Sequence, residues 1–394
     1  MNDFEFESPT HFAFGRGAER RTGELVRAFG GTRALLHFGG GSVKANGVYG
    51  KVVDALESAG VGYVPLGGVK PNPREALVRE GIDLVRREGI DFILAVGGGS
   101  AIDSAKAIAF GAVYDGDFRD HAYGKDCRNP PVVKKAMPVG AVLTIAAAGS
   151  EGSCNSIISL EPDNLKRTLS GDALRPRFAV MNPEFTFTLP PYQTACGLAD
   201  IFAHVAERYF TPTRGVAVTD EVCEALMRTV VSEGAKVMRD GRDYDARANV
   251  MWAGTLAHNN VCGVGRVQDW ASHGIEHELS ALYDCAHGAG LAVVMPAWME
   301  FVMDADVARF ARFAERVWGV APGPDGRAVA KEGIARYRAW LESIGLPTTF
   351  AGLGARAEDI PRLAANLGLA EGQTLGRFRP LSAADVESLL SLAV

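Results

Sequence analysis

The sequence predicts two domains, an α/β layer with a largely parallel sheet followed by an all-helical half. Three observations point there. At 394 residues the chain exceeds what one small core needs. Its first 190 residues alternate short apolar runs with helix-patterned segments and glycine punctuation. Beyond Pro190 long helical patterns take over, and the proline-bearing NPEFTFTLPP marks the change. The boundary is placed so that residues 1–187 form the α/β domain and residues 188–394 the helical one.

Taken in order, 34–38, 62–66, 92–96, 138–144 and 178–181 read as strands, each short and rich in apolar residues. REALVREGIDLVRREGI sets Leu77, Val78, Ile82 and Val85 at helical spacing between the second and third. In the second half ACGLADIFAHVAERYF, FARFAERVWGV, KEGIARYRAWLESIG and AADVESLLSLAV carry the same period.

Composition excludes several classes. A hydrophobic share of 47% with 22% charged residues describes an ordinary folded chain. The net charge of -6 argues against a nucleic-acid binder, which shows a basic surplus. No apolar run approaches the roughly 20 residues that span a bilayer, and MNDFEFESPT is acidic where a signal peptide is basic and then apolar. We therefore expect a cytoplasmic protein. The six cysteines, Cys127, Cys154, Cys196, Cys223, Cys262 and Cys285, show no C-x-x-C pair and read as reduced and structural.

In LAVGGGSAIDSAK a buried-type strand runs into three glycines and a helix capped by Ser100, with Asp103 as a capping-box partner. Glycines admit a phosphate to the backbone, and the helix N-terminus favours its charge; a tight turn needing glycine only for its dihedrals is the competing reading. The first loop, HFGGGSVKANG, ends a strand in the same manner. An NAD site usually sets an acid on the adenosine ribose, whereas here Gly39, Gly40, Gly41, Ser42 and Lys44 follow Phe38. A dinucleotide in this loop is expected to be NADP(H), unless the loop is a flexible turn with a merely solvated Lys44.

Five of the eight histidines fall between His204 and His287. Asp200 and His204 stand four apart on one helix face, within reach of one ion, although a solvated polar stripe that includes Glu207 reads the same way. His273 and His277 repeat the spacing, and His287 follows beside Gly288. One Asp with two or three His suits Fe2+ or Zn2+ with an open position. His258 reads as structural, and His11, His37 and His121 receive no role. HGIEH also matches the H-x-x-E-H of inverted zinc peptidases, a reading that leaves the glycine loops without purpose.

Together PTHFAFGRGA, GGVKPNP, AVGGGSAIDSAK, AGSEGS, LADIFAHVAE and HGIEHELSALYDCAHGAGLAVVMP resemble the iron-containing, or group III, alcohol dehydrogenases over essentially the whole chain. GGGSVK, YDARANVMWA and VQDWASH are most similar to the branch of NADPH-dependent aldehyde reductases and butanol dehydrogenases. The resemblance implies a dehydroquinate synthase-like architecture: a Rossmann-like dinucleotide-binding domain, an all-α metal-binding domain, and the nicotinamide in a cleft between them. By motif, it makes Asp200, His204, His273 and His287 the metal ligands and His277 a non-ligand histidine beside nicotinamide and substrate, so that His273 and His277 are no longer the chelating pair. Glu276 has no counterpart role.

For the cofactor, the resemblance puts Gly98, Gly99 and Ser100 on the pyrophosphate, Asn72 near the adenosine ribose and Thr144 near the nicotinamide half. Asp103 and Lys106 complete GGGSxxDxxK, and Gly39 stands where NAD-preferring members carry Asp. Lys166 matches a lysine near the cofactor, with a surface cation as the alternative. The family's T-x-x-G-T-G-S-E is here TIAAAGSE, with Ala147 and Ala148 replacing Gly and Thr. A homodimer is implied as well.

The expected activity is reversible hydride transfer between NADP(H) and short- to medium-chain aldehydes or primary alcohols, with His277 delivering the proton. The alternatives are an NAD-linked polyol or glycerol dehydrogenase, a non-redox dehydroquinate synthase-like enzyme, and a metal- and nucleotide-binding module without turnover.

Overall fold

The computed structural model describes residues 1–122, 131–163 and 165–394; Cys127 lies outside them. The chain divides into two compact units. One comprises Glu7–Leu189 and Gly241–Asn259, the other Met1–Phe6, Pro190–Asp240 and Asn260–Val394. This differs from the single boundary at 187 and 188: the segment Gly241–Asn259, helical in pattern, folds with the α/β unit, and the first six residues fold with the helical one.

Strands β1 (His11–Phe14), β2 (Arg33–Phe38), β3 (Gly62–Leu66), β4 (Phe92–Gly97), β5 (Val139–Leu143), β6 (Asn155–Leu160), β7 (Leu165–Ser170) and β8 (Phe178–Met181) belong to the first unit. Six form one sheet in the order β1-β8-β5-β4-β2-β3, every pair parallel. Both faces are covered, as a parallel sheet requires. Leu35, Ile93, Ala141 and Ala179 enter one core, while Leu36, Leu94, Val142 and Val180 enter the other. β6 and β7 pair antiparallel as a separate hairpin. Sequence reasoning missed that hairpin and β1, since NSIISL and LKRTLS are half polar and β1 is a four-residue edge strand.

Helices α1 (Val48–Ser58) and α2 (Glu75–Glu88) carry the chain from β2 out to β3 and back to β4 on the other side of β2. The strand order therefore reverses between β2 and β4, the position where nucleotides bind in such sheets. α3 (Gly99–Gly111) follows β4.

The helical unit holds α4 (Pro191–Tyr209) and α5 (Ala217–Arg239); α6 (Tyr244–His258) is the helix given to the α/β unit. α7 (Ala271–Tyr283) and α8 (His287–Val302) return to the helical unit. Against the sequence reading, the helix His287–Ala305 has the length and composition to cross a membrane, but 78% of its window is buried inside the protein, as in a core helix.

His37, left without a role above, is fully buried at the end of β2. Its Nδ1 lies 3.0 Å from the Leu66 carbonyl and its Nε2 2.8 Å from Ser104 Oγ, so a neutral ring joins β2 to β3 and α3. Burial outweighs the Leu66 contact and lowers its pKa from 6.5 to about 4. Between these values the unfolded chain holds a proton that the folded chain does not. Stability accordingly rises with pH across this window, and about 3 kcal/mol is lost as pH falls through it. We expect His37→Asn to flatten that part of the wild-type slope, measured as urea midpoints from pH 4 to 7.

Candidate active site

The four residues expected as ligands come from three helices of the helical unit. α4 sets Asp200 and His204 one turn apart, α7 carries His273, and α8 begins at His287. Asp200 and His204 are 4% and 3% exposed and Glu207 is wholly buried, which replaces the solvated stripe with an interior one. Asp200, His204 and His273 offer ligand atoms within 4.8 Å of one another. Three imidazole nitrogens approach a single oxygen, Asp200 Oδ1: His204 Nε2 at 3.2 Å, His287 Nε2 at 3.7 Å and His273 Nε2 at 3.8 Å.

Two carboxylates hold the rings from behind. Glu207 Oε2 takes His273 Nδ1 and its Oε1 accepts the His273 amide at 3.0 Å. Glu276 Oε2 takes His287 Nδ1 and its Oε1 accepts from Ser280 Oγ. Glu276 therefore has a place, contrary to expectation: it orients a candidate ligand. With both oxygens engaged it is not the free base that the peptidase pattern requires.

A carboxylate accepts only, so each Nδ1 donates, and a ring deprotonated at Nε2 turns a lone pair toward Asp200. Burial opposes charge on His273, yet Glu207 and Asp200 raise its pKa to about 9, so in the absence of a cation a proton occupies that nitrogen at neutral pH. Asp200 Oδ1 and His273 Nε2 are buried without a hydrogen-bonding partner. Lone pairs aimed at a common point are reconciled by a cation, and the O,N donor set fits Fe2+ or Zn2+. Burial acts against ionisation of Asp200, yet the His204 and His287 imidazoles hold it well below the usual carboxylate range. Burial, then the neighbouring His273, pushes His204 down to about 4.

His277 follows one turn after His273 and is partly buried; its ring centroid lies 5.7 Å from that of His287 and 6.3 Å from that of His273.

In the α/β unit, Gly39–Ser42 follow β2, Gly98–Ser100 follow β4, Thr144 follows β5 and Asn72 lies beyond β3. Register pairs Phe38 with Val96 and Gly97 with Leu143, so the first three groups stand at the carboxyl ends of adjacent strands. None of the glycines at 39–41 or 97–99 has a positive φ. A Cβ would meet nothing at Gly40 or Gly41, whereas at Gly98 it would lie 2.9 Å from the Ile145 side chain. Left-handed dihedrals therefore do not explain these triplets, and no protein neighbour explains Gly40 and Gly41. Lys44 is not merely solvated: its ammonium lies 5.0 Å from the Phe38 ring and 5.1 Å from the Tyr49 ring.

Other residues differ from their sequence reading. The N-cap of α3 is Gly98 with no side-chain cap, so Ser100 sits within the first turn. Asp103, instead of closing a capping box, accepts from Ser150 Oγ at 2.5 Å and from the Ile157 amide at 3.0 Å. Lys106 is fully buried, its Nζ donating to the carbonyls of Ser150, Ser153 and Asn155. Lys166 on β7 is 5% exposed, which removes its surface-cation alternative. Asn72 adopts φ +53°, a left-handed conformation that asparagine tolerates well. His258, read as structural, gives Nδ1 to the Ala148 carbonyl.

Comparison with known proteins decides the family. Residues 9–183 match the model "Iron-containing alcohol dehydrogenase", and residues 194–394 match "Fe-containing alcohol dehydrogenase family, C-terminal". The chain belongs to the iron-containing alcohol dehydrogenase family. It is 38% identical to NADH-dependent butanol dehydrogenase A of Clostridium acetobutylicum, over 98% of each chain. It is 37% identical to the NADPH-dependent aldehyde reductase YqhD of Escherichia coli, over 92% of each. The crystal structure of NADH-dependent butanol dehydrogenase A from Thermotoga maritima superposes with a TM-score of 0.95 at 39% identity, covering 100% of this chain and 99% of that one.

The protein is thus an oxidoreductase of the alcohol dehydrogenase and aldehyde reductase kind, and the family implies a nicotinamide cofactor with iron or a similar metal. Family membership also displaces the peptidase and non-redox alternatives.

Glu276→Gln keeps the shape behind His287 but removes the charge. We expect metal affinity, measured by competition with a chelator, to fall about 10- to 100-fold.

Proposed function

We propose that this family member is an NADP(H)-linked aldehyde reductase acting reversibly on short- to medium-chain aldehydes and primary alcohols. The convergence of three imidazole nitrogens on Asp200 Oδ1, with Glu207 and Glu276 behind two of them, carries the reading. Bound there by Asp200, His204, His273 and His287, Fe2+ or Zn2+ would supply Lewis-acid polarisation of a carbonyl oxygen, while NADP(H) supplies or accepts the hydride.

Glu207 and Glu276 fix the tautomers of His273 and His287 and keep each Nε2 forward. An imidazole nitrogen of His277 holds the proton that the alcohol oxygen takes up, since an imidazole can both carry and release a proton and this ring lies beside the ligand rings. Butanol dehydrogenase and aldehyde reductase activities in the names of relatives support the substrate class.

Gly39–Ser42 and Gly98–Ser100 would receive the phosphates, with Thr144 toward the nicotinamide and Asn72 toward the adenosine. Asp103 would serve indirectly, because its carboxylate is already shared by Ser150 and Ile157; Lys166, on β7, would contribute a cation to the cofactor's surroundings. Relatives named for NADH and for NADPH both occur. For this chain, the absence of any acid from Gly39 to Lys44 and the cation of Lys44 favour a 2'-phosphate. The reading also includes a cytoplasmic homodimer acting on small molecules, without nucleic acid or membrane.

The test is turnover of butanal by metal-reconstituted protein, with NADPH and NADH compared side by side. We expect a higher kcat/KM with NADPH and a shift toward NADH in Gly39→Asp. Activity with NADH alone overturns the cofactor assignment, and loss of neither metal nor turnover in His204→Ala overturns the ligand assignment.

A further inference from the structure

Trp270 has no place in the chemistry above, and its backbone is out of the ordinary. It precedes α7 with φ 99° and ψ 12°, a left-handed conformation that glycine adopts freely and a bulky side chain rarely adopts. Such strain persists only where the surroundings over-determine it, and an outlier of this kind is a starting point for a functional hypothesis.

The surroundings of Trp270 are fixed on both sides. Before it, Asp269 donates its amide to the Glu207 carbonyl at 3.0 Å. The Asp269 carboxylate accepts the amides of Ala271 at 2.8 Å, Arg377 at 2.6 Å and Phe378 at 2.7 Å. After it, the amide of His273 is held by Glu207. The side chain is equally committed. Its ring centroid lies 5.3 Å from the His273 ring at 74° and 5.8 Å from the His204 ring at 66°, both edge-to-face. The Arg208 guanidinium covers it at 4.4 Å, while the same group donates to the His204 carbonyl at 2.8 Å.

We propose that Trp270 is a positioning residue for the metal centre, its indole bracing the imidazoles of His204 and His273 together. The inference rests on the ligand assignment made above. Glu207 restrains the His273 ring at one nitrogen; the indole packs on both imidazoles and restrains their planes, and Arg208 ties that indole to the turn of α4 that carries His204. The unfavourable backbone is maintained because this side chain, and not a glycine, is needed at the position.

Two variants separate bracing from folding. Trp270→Gly removes the ring and relieves the backbone; Trp270→Phe keeps a ring and the strain. Metal affinity is read with Zn2+ against a chelating dye, site geometry from the d–d absorption of bound Co2+, and folding from the melting temperature of the metal-free proteins. We expect Trp270→Gly to bind Zn2+ about tenfold more weakly or worse, with an altered Co2+ spectrum and a metal-free melting temperature no lower than that of Trp270→Phe. Trp270→Phe should stay close to wild type in affinity and spectrum. Wild-type affinity and spectrum in Trp270→Gly overturn the proposal, as does a loss in Trp270→Phe that equals that of Trp270→Gly and follows its melting temperature. A wild-type chain that takes up neither ion overturns the ligand assignment itself and this inference with it.

Discussion

Burying carboxylates among imidazoles is the constraint on which the helical unit is built. Asp200, Glu207 and Glu276 are each at most 4% exposed, and an isolated buried carboxylate is strongly unfavourable. Glu207 and Glu276 are satisfied by ring N–H groups from α7 and α8, which fixes the way those histidines face. Asp200 Oδ1 and the three Nε2 atoms around it form a donor set that a cation fits, and Glu207 and Glu276, behind two of the rings, keep that set in one shape.

The α/β unit solves a different problem. Its sheet is buried on both faces, so polar chemistry is confined to strand ends, and the strand order reverses between β2 and β4, where nucleotides bind in such sheets. The two glycine triplets stand there in ordinary backbone conformations. Lys44 is exposed, with its ammonium 5.0 Å from the Phe38 ring and 5.1 Å from the Tyr49 ring, so the cation of the first loop has aromatic faces beside it.

What was legible in the sequence follows from range. Apolar runs report local burial, and the five strands they indicate are all in the sheet. β6 and β7 escape because half their side chains are polar. α6 escapes because its allegiance lies in distant contacts: Thr255 donates to Glu151 at 2.5 Å, more than a hundred residues away. The ligand histidines are visible as residue types at a spacing, whereas Glu207 reads as part of a solvated stripe and Glu276 as a residue without a role, since nothing local distinguishes a buried glutamate from a solvated one. Glu207 lies seven residues from Asp200, on the same helical face, and that was the available signal. Asp103 and Lys106 were read as cofactor motif, yet their charges are spent inside the fold.

The altered loop TIAAAGSE shows the same separation between framework and site. The Ala148 carbonyl accepts from His258, so this anchor uses backbone that any residue supplies. Gly149 has φ +64° and packs so closely on α6 that a Cβ would lie 2.4 Å from the Gly254 carbonyl. Glu151 is tied to Thr255, and Ser150 to Asp103 and Lys106. Every tether of the loop runs through a position that this chain shares with the family pattern or through main chain. Replacing Gly and Thr with Ala147 and Ala148 therefore leaves the loop fixed from beneath. A Cβ at Gly99 would lie 3.7 Å from that of Ala148, so the hydroxyl absent at position 148 is absent beside the second glycine triplet.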